Sequence, residues 1–178
     1  ATEGASLTFD MDGVAALTVL EGVTTDISST AVTIPFGSLT PSAIIEGAHR
    51  LTIDANGTEG YKILMTMDGD LISANGSIIE PITGTNAAPI AWNTGCAIDA
   101  KSCFGYHTWD DTLEGGSARF SALDTYARMS TTSLDEISYS SQPVAGETTD
   151  VVFRIMRREL QEAGQYEARI RYVSVPIF

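Results

Sequence analysis

The sequence predicts an all-β protein, an antiparallel β-sandwich of the jelly-roll or immunoglobulin-like kind with about ten strands and one long disulfide-containing loop. Two observations carry that expectation. Apolar residues recur with period two along most of the 178 residues, the spacing that puts alternate side chains on one face of a strand. Asp12–Gly13, Asn56–Gly57, Asp68–Gly69 and Asn75–Gly76 interrupt the runs, and such dipeptides between alternating segments are the strongest short-range hairpin signal.

Taken in order, "SLTFDM" places Leu7, Phe9 and Met11 on one face, ahead of Asp12–Gly13. "VAALTVL" continues to Leu20, "AVTIPF" precedes Gly37, and "HRLTIDA" precedes Asn56–Gly57. "GYKILMTM" and "DLISA" precede Asp68–Gly69 and Asn75–Gly76. "ARFSAL", "TYARMS", "EISYS" and "DVVFRIM" follow, and "AGQYEARIRYVSVPIF" closes the chain. In that last strand Tyr166, Ala168, Ile170, Tyr172, Ser174 and Pro176 share a face, opposite Glu167, Arg169, Arg171, Val173, Val175 and Ile177. "MRRELQEAG" contains good helix formers but no N-cap, so it reads as a strand end plus a turn. With no long linker and no repeat, residues 1–178 read as one domain.

Composition narrows the function. Hydrophobic residues make up 43% and charged residues 19%, the balance of a folded domain rather than a disordered chain. No apolar run is long enough for a membrane-spanning helix. A net charge of −13 argues against nucleic acid, whose phosphates it would repel. Residues 1–100 hold two bases against twelve acids, residues 101–178 eight bases against eleven. Arg154, Arg157, Arg158, Arg169 and Arg171 crowd the C-terminal end. They read as charges guarding an edge strand, or as a basic end meeting the acidic end of another copy. The chain opens on Ala1 with no Met and no basic-then-apolar leader, which is expected of an exported chain after signal-peptide removal, or of a trimmed one.

The stretch 81–116 lacks periodicity and reads as a long loop insertion. It holds Cys96 and Cys103, whose spacing is not CxxC. A local disulfide suits an exported chain, and two free thiols would suit a cytosolic one. Trp92, Tyr106, His107 and Trp109 lie in the same stretch. They form a possible ligand surface, with rings to stack on sugars, or else a small satellite core.

Chemistry is not legible. His107 with Asp110 and Asp111 lacks any metal-binding spacing, and His49 sits in a predicted strand as a structural residue. "DMDG" at Asp10–Gly13 and "DGD" at Asp68–Asp70 resemble calcium-loop fragments without the distal Glu, and read as turns. Asn56-Gly57-Thr58 and Asn75-Gly76-Ser77 match the glycosylation sequon but also read as turns. GxSxG, P-loop and GxGxxG patterns are missing. No enzymatic activity, catalytic residue, metal or cofactor is therefore expected.

The two ends suggest an interaction instead. Residues 1–12 are a candidate donor strand, with Leu7, Phe9 and Met11 as pocket-filling anchors that complete the sandwich of the next copy. Such a head-to-tail contact does not close, and it makes a filament. The competing expectation pairs the first and last strands within one monomer.

Three pieces carry a resemblance: "VTIPFGSL" at 32–39, "LTIDANGTEGYKILM" at 51–65, and the C-terminal "AGQYEARIRYVSVPIF". Together they resemble secreted bacterial β-sandwich proteins of the cell surface, pilin-like subunits among them. The architecture is more loosely similar to TasA-like matrix fibres and archaeal donor-strand pili. The resemblance implies an exported, extracellular structural subunit whose partner is itself, in pili or biofilm. The alternative is a surface adhesin or carbohydrate-binding module that meets glycans through Trp92, Tyr106, His107 and Trp109.

Overall fold

A computed structural model of the chain describes residues 4–20, 22–96, 102–110, 113 and 119–177. The fold is an all-β sandwich with thirteen strands among the described residues. They are β1 (Leu7–Gly13), β2 (Val19–Leu20), β3 (Val23–Thr24), β4 (Ile44–Ala55), β5 (Tyr61–Met67), β6 (Leu71–Ile72) and β7 (Ile78–Pro81). Then come β8 (Ile90–Ala91), the helical turn α1 (Trp92–Gly95), β9 (Cys103–Thr108), β10 (Thr125–Tyr126), β11 (Asp135–Ser140), β12 (Val144–Met156) and β13 (Ile170–Pro176).

One layer is a six-stranded sheet in the order β1-β4-β12-β9-β7-β6; the other is the three-stranded sheet β11-β5-β13. Their inner faces meet in a core built from Leu51, Ile53, Tyr61, Ile63, Met65, Tyr106, Ile137, Val151 and Phe153. Alternation delivers it. β5 reads buried at every odd position from Tyr61 to Met67, with Lys62, Leu64 and Thr66 more exposed between them.

The turn dipeptides act in three different ways. Asn75–Gly76 closes the β6–β7 hairpin, with Gly76 at φ +85°. Asn56–Gly57 instead carries the chain from one sheet to the other, because β4 and β5 are not paired with each other. Asp12–Gly13 is no turn at all: β1 runs through it, Asp12 opposite Arg50 and Gly13 opposite His49. "AVTIPF" and "ARFSAL" supply packing residues rather than strands, Ile34 and Phe36 lying against the core. "MRRELQEAG" is, as expected, the end of β12 and a turn.

The expected loop at 81–116 is corrected at its centre. β9 lies inside the large sheet, antiparallel to β12 and parallel to β7, and all six of its residues are buried. Its outer face is covered by a third layer made of α1 and the β8–β10 pair. A parallel partner needs a crossover connection, and the connection from β7 to β9 carries β8 and α1. Cys96 and Cys103 are joined in a disulfide across the end of this connection.

Candidate functional site

β1 is the edge strand of the large sheet and pairs with β4 over seven consecutive positions, from Leu7 opposite Ala55 to Gly13 opposite His49. The first strand therefore pairs with neither the last strand nor a hairpin partner. β13 lies in the other sheet, along β5, from Ile170 opposite Met67 to Pro176 opposite Tyr61. Leu7, Phe9 and Met11 point inward and pack on the core, yet all three remain half-buried. Thr8, Asp10 and Asp12 face solvent.

Two devices fix the start and the end of β1. Asn56 holds the start: its Oδ1 accepts from Ser6 N–H at 2.6 Å, and its Nδ2 donates to the Gly4 carbonyl at 3.3 Å. The chain is held again immediately after Gly13, where Val14 N–H donates to Ser29 Oγ at 2.8 Å and Ser29 N–H to the Val14 carbonyl at 2.9 Å. A Cβ on Gly13 would meet the Ser29 carbonyl oxygen at 2.2 Å, so this close crossing admits only glycine.

Under β1 lies a ring cluster that sequence reading treated as unremarkable. Phe9 is 6.3 Å from Tyr172, which is 6.0 Å from His49. His49 Nδ1 is 3.2 Å from the Tyr172 hydroxyl. Burial lowers the His49 pKa, against a smaller upward pull from the Thr30 backbone, and keeps the ring neutral. The same desolvation raises the Tyr172 hydroxyl well above its ordinary value.

The proposed ligand surface is corrected. Trp92, Tyr106 and His107 are each 1% exposed or less, so they offer no face to a sugar. Tyr106 points into the main core and donor Asn86 Nδ2 reaches its hydroxyl at 2.8 Å. Trp92 packs edge-on to Tyr126 at 5.2 Å on the outer side of the large sheet. His107 lies against Trp109 at 4.2 Å, and Trp109 packs on the cluster of Val14, Leu20, Val23, Ala48 and Val152. His107 Nδ1–H donates to the Thr125 carbonyl at 2.6 Å, and burial lowers its pKa. Trp92 belongs to the satellite core that stitches the third layer to the sheet, and His107 lies beside it against Tyr126.

Among the described residues, no group of three or more His, Cys, Asp or Glu is placed to hold a metal ion. Asp110 Oδ2 accepts from Tyr139 N–H at 2.5 Å, and Asp111 lies outside the described residues. Asp10 and Asp12 stand on a strand; Asp68 accepts from Arg169 N–H at 2.8 Å in the bend between β5 and β6.

The polar centre that the sequence did not announce is Arg154 on β12. Its Nε donates to Glu46 Oε1 at 2.5 Å, its Nη1 bonds Asp124 Oδ1, and its guanidinium lies 4.3 Å from the Tyr126 ring and 5.3 Å from the Trp92 ring. Arg154 and Glu46 are paired across β12 and β4, so the centre fastens the third layer to the large sheet. No protein-family model matches this sequence, and comparison with curated proteins finds no similar one.

Proposed function

We propose that this chain is a structural subunit of an extracellular filament, assembled head-to-tail by exchange of β1 onto the β4 edge of the next copy. The observation that carries the reading is the state of β1. It is an outermost strand with an unbroken seven-residue ladder and three apolar anchors facing inward; its start is held only by hydrogen bonds to Asn56, and its covalent continuation leaves at Gly13–Val14. A strand of that kind makes the same contacts on a second copy as on its own, which is the condition for donation. The partner is another copy of the chain, and the setting is outside the cell, where the Cys96–Cys103 disulfide persists. Nothing in the buried aromatic cluster favours the glycan-binding alternative.

The test is electron microscopy of the full chain at neutral pH beside a chain lacking residues 1–12, Leu7→Asp and Phe9→Asp. Filaments are expected from the full chain alone. A further variant, Leu7→Cys with Ala55→Cys, locks β1 onto its own β4 through a cross-strand disulfide, since these residues are register partners. Oxidised, it is expected to stay unpolymerised; reduced, it assembles. Filaments from the Asp variants or from the oxidised lock would refute strand exchange.

A further inference from the structure

The sandwich has one open side. β1 ends the large sheet and β13 ends the small one. The two edges lie on the same side of the molecule, with Phe9 and Tyr172 facing each other across the gap at 6.3 Å. They run in opposite directions. Ser6, at the start of β1, accepts from Asn56 N–H, and the Ile177 carbonyl, at the end of β13, lies against neighbouring Gly57.

The hydrogen-bond phase of each edge follows from one bond at its end. Asn56 N–H donates to the Ser6 carbonyl at 3.2 Å, so the even residues of β1 bond β4 and the main-chain groups of Leu7, Phe9 and Met11 point away from the sheet. On β13, Ile177 N–H donates to the Gly60 carbonyl and Asp68 N–H to the Arg169 carbonyl, both at 3.0 Å. The odd residues there bond β5, and those of Ile170, Tyr172 and Ser174 point outward. Pro176 falls in the same outward set, where a missing N–H leaves the β5 ladder intact.

These edges are only lightly guarded. Neither ladder has a bulge and neither strand turns a charge inward; Pro176 and the charges of the outer face are the protections present. The inward-facing Leu7, Phe9, Met11, Ile170 and Tyr172 stay half-buried because nothing among the described residues closes the gap over them. On the outer face the charges are opposite: Asp10 and Asp12 on β1, Arg169 and Arg171 on β13, all exposed.

We infer that this seam is an interface for a second copy of the chain, with β1 of each copy pairing antiparallel to β13 of the other about a two-fold axis along the strands. The register that opposes Phe9 to Tyr172 makes them a hydrogen-bonded pair, with Leu7 opposite Ser174 and Met11 opposite Ile170. The same register places Asp10 beside Arg171 and Asp12 beside Arg169. A two-fold axis across the strands would instead pair β1 with β1 and β13 with β13, setting acid against acid and arginine against arginine. Charge therefore selects between the two arrangements. The inference stands apart from strand exchange, since β1 occupies the same edge whichever copy supplies it. In a filament it joins subunits side by side.

The oxidised Leu7→Cys/Ala55→Cys lock isolates this contact from exchange. Sedimentation equilibrium of the locked chain in low salt is expected to show a dimer that weakens as salt rises. Ser174→Pro removes an outward N–H without touching the β5 ladder, and is expected to give monomer. Arg171→Asp should weaken the dimer about tenfold or more, because the reversal counts twice in a two-fold contact, and adding Asp10→Arg should restore it. A locked chain that stays monomeric at about 100 µM, well above the micromolar range of a modest interface, overturns the inference. So does a dimer indifferent to both Ser174→Pro and Arg171→Asp. Failure of the lock to block filaments bears only on exchange.

Discussion

Replacing Arg154 by Met tests whether the third layer is held by charge or by packing. The guanidinium neutralises Glu46 and Asp124 at once and lies between two aromatic rings. The two acids differ in what happens when it goes. Asp124 has a side chain 47% exposed and rehydrates at little cost; Glu46, at 10%, keeps only the Tyr126 hydroxyl, 3.0 Å away. The loss is therefore set by one stranded buried carboxylate, about 3–5 kcal/mol for a pair broken from one side. For a domain of this size about 1 kcal/mol moves Tm by about 2–4 °C, so a fall of roughly 10–15 °C is expected. Thermal unfolding followed by far-UV circular dichroism measures the fall, and urea unfolding the free energy. Arg154→Met combined with Glu46→Gln removes the stranded charge but keeps an acceptor for Tyr126, and is expected to recover at least half of the loss. A single-variant loss below about 1 kcal/mol, the range of a surface pair, would refute the reasoning. So would a double variant as unstable as the single one.

Two further outcomes follow from the same layer. Cys96→Ala with Cys103→Ala should cost about 2–3 kcal/mol by loop-closure entropy, as the bridged residues are seven apart, with the far-UV spectrum unchanged; denaturant titration reads it. His49 and His107 are held neutral by burial, their pKa values below the ordinary 6.5. The unfolded chain then binds the extra protons, so stability is complete above about pH 6.5 and falls as pH drops through the depressed native values. Asp135 and Glu147, raised by burial, carry the opposite sign, gaining stability as they protonate. The difference between parent and His107→Gln across pH 7.5 to 5 isolates the histidine, and a difference that does not change with pH would contradict it.

The fold was legible wherever one face of a strand meets solvent. β1, β5 and the first half of β13 alternate in sequence because they alternate in space. β9 was illegible for the converse reason. "CFGYHT" is covered on its inner side by the opposite sheet and on its outer side by Trp92 and Tyr126, so every position is buried and no period remains. Gly105 within it has no room for a Cβ, which would come within 2.8 Å of Ile82. To sequence reading that glycine and the nearby cysteines look like loop punctuation. Turn dipeptides misled at Asp12–Gly13 because glycine there serves a close crossing with Ser29 rather than a change of direction. The Arg154 centre joins residues 46, 124 and 154, and only tertiary structure brings such distant positions together.

The two proposed interfaces place opposing demands on one strand. Exchange requires β1 to leave β4, and its half-buried anchors make that feasible: Leu7, Phe9 and Met11 each contribute less than the 1.5–3 kcal/mol or so of a fully buried side chain. Because β1 makes identical contacts in either copy, transfer between copies changes little enthalpy. The tether at Val14 then decides, keeping the free copy's own β1 at an effective concentration in the millimolar range or above. Anything that holds β4 edges of two subunits close together shifts that balance toward exchange. Seam pairing does so by gathering copies side by side; exchange within one two-fold pair would be reciprocal and closed, so in a growing filament the donated β1 goes to a copy outside the pair. A contact that is weak and electrostatic can thus serve as the encounter from which a slower strand exchange proceeds. The order is testable in the rates: Arg171→Asp, which leaves every β1–β4 contact untouched, should lengthen the lag before filaments form. It should leave the stability of finished filaments to denaturant unchanged.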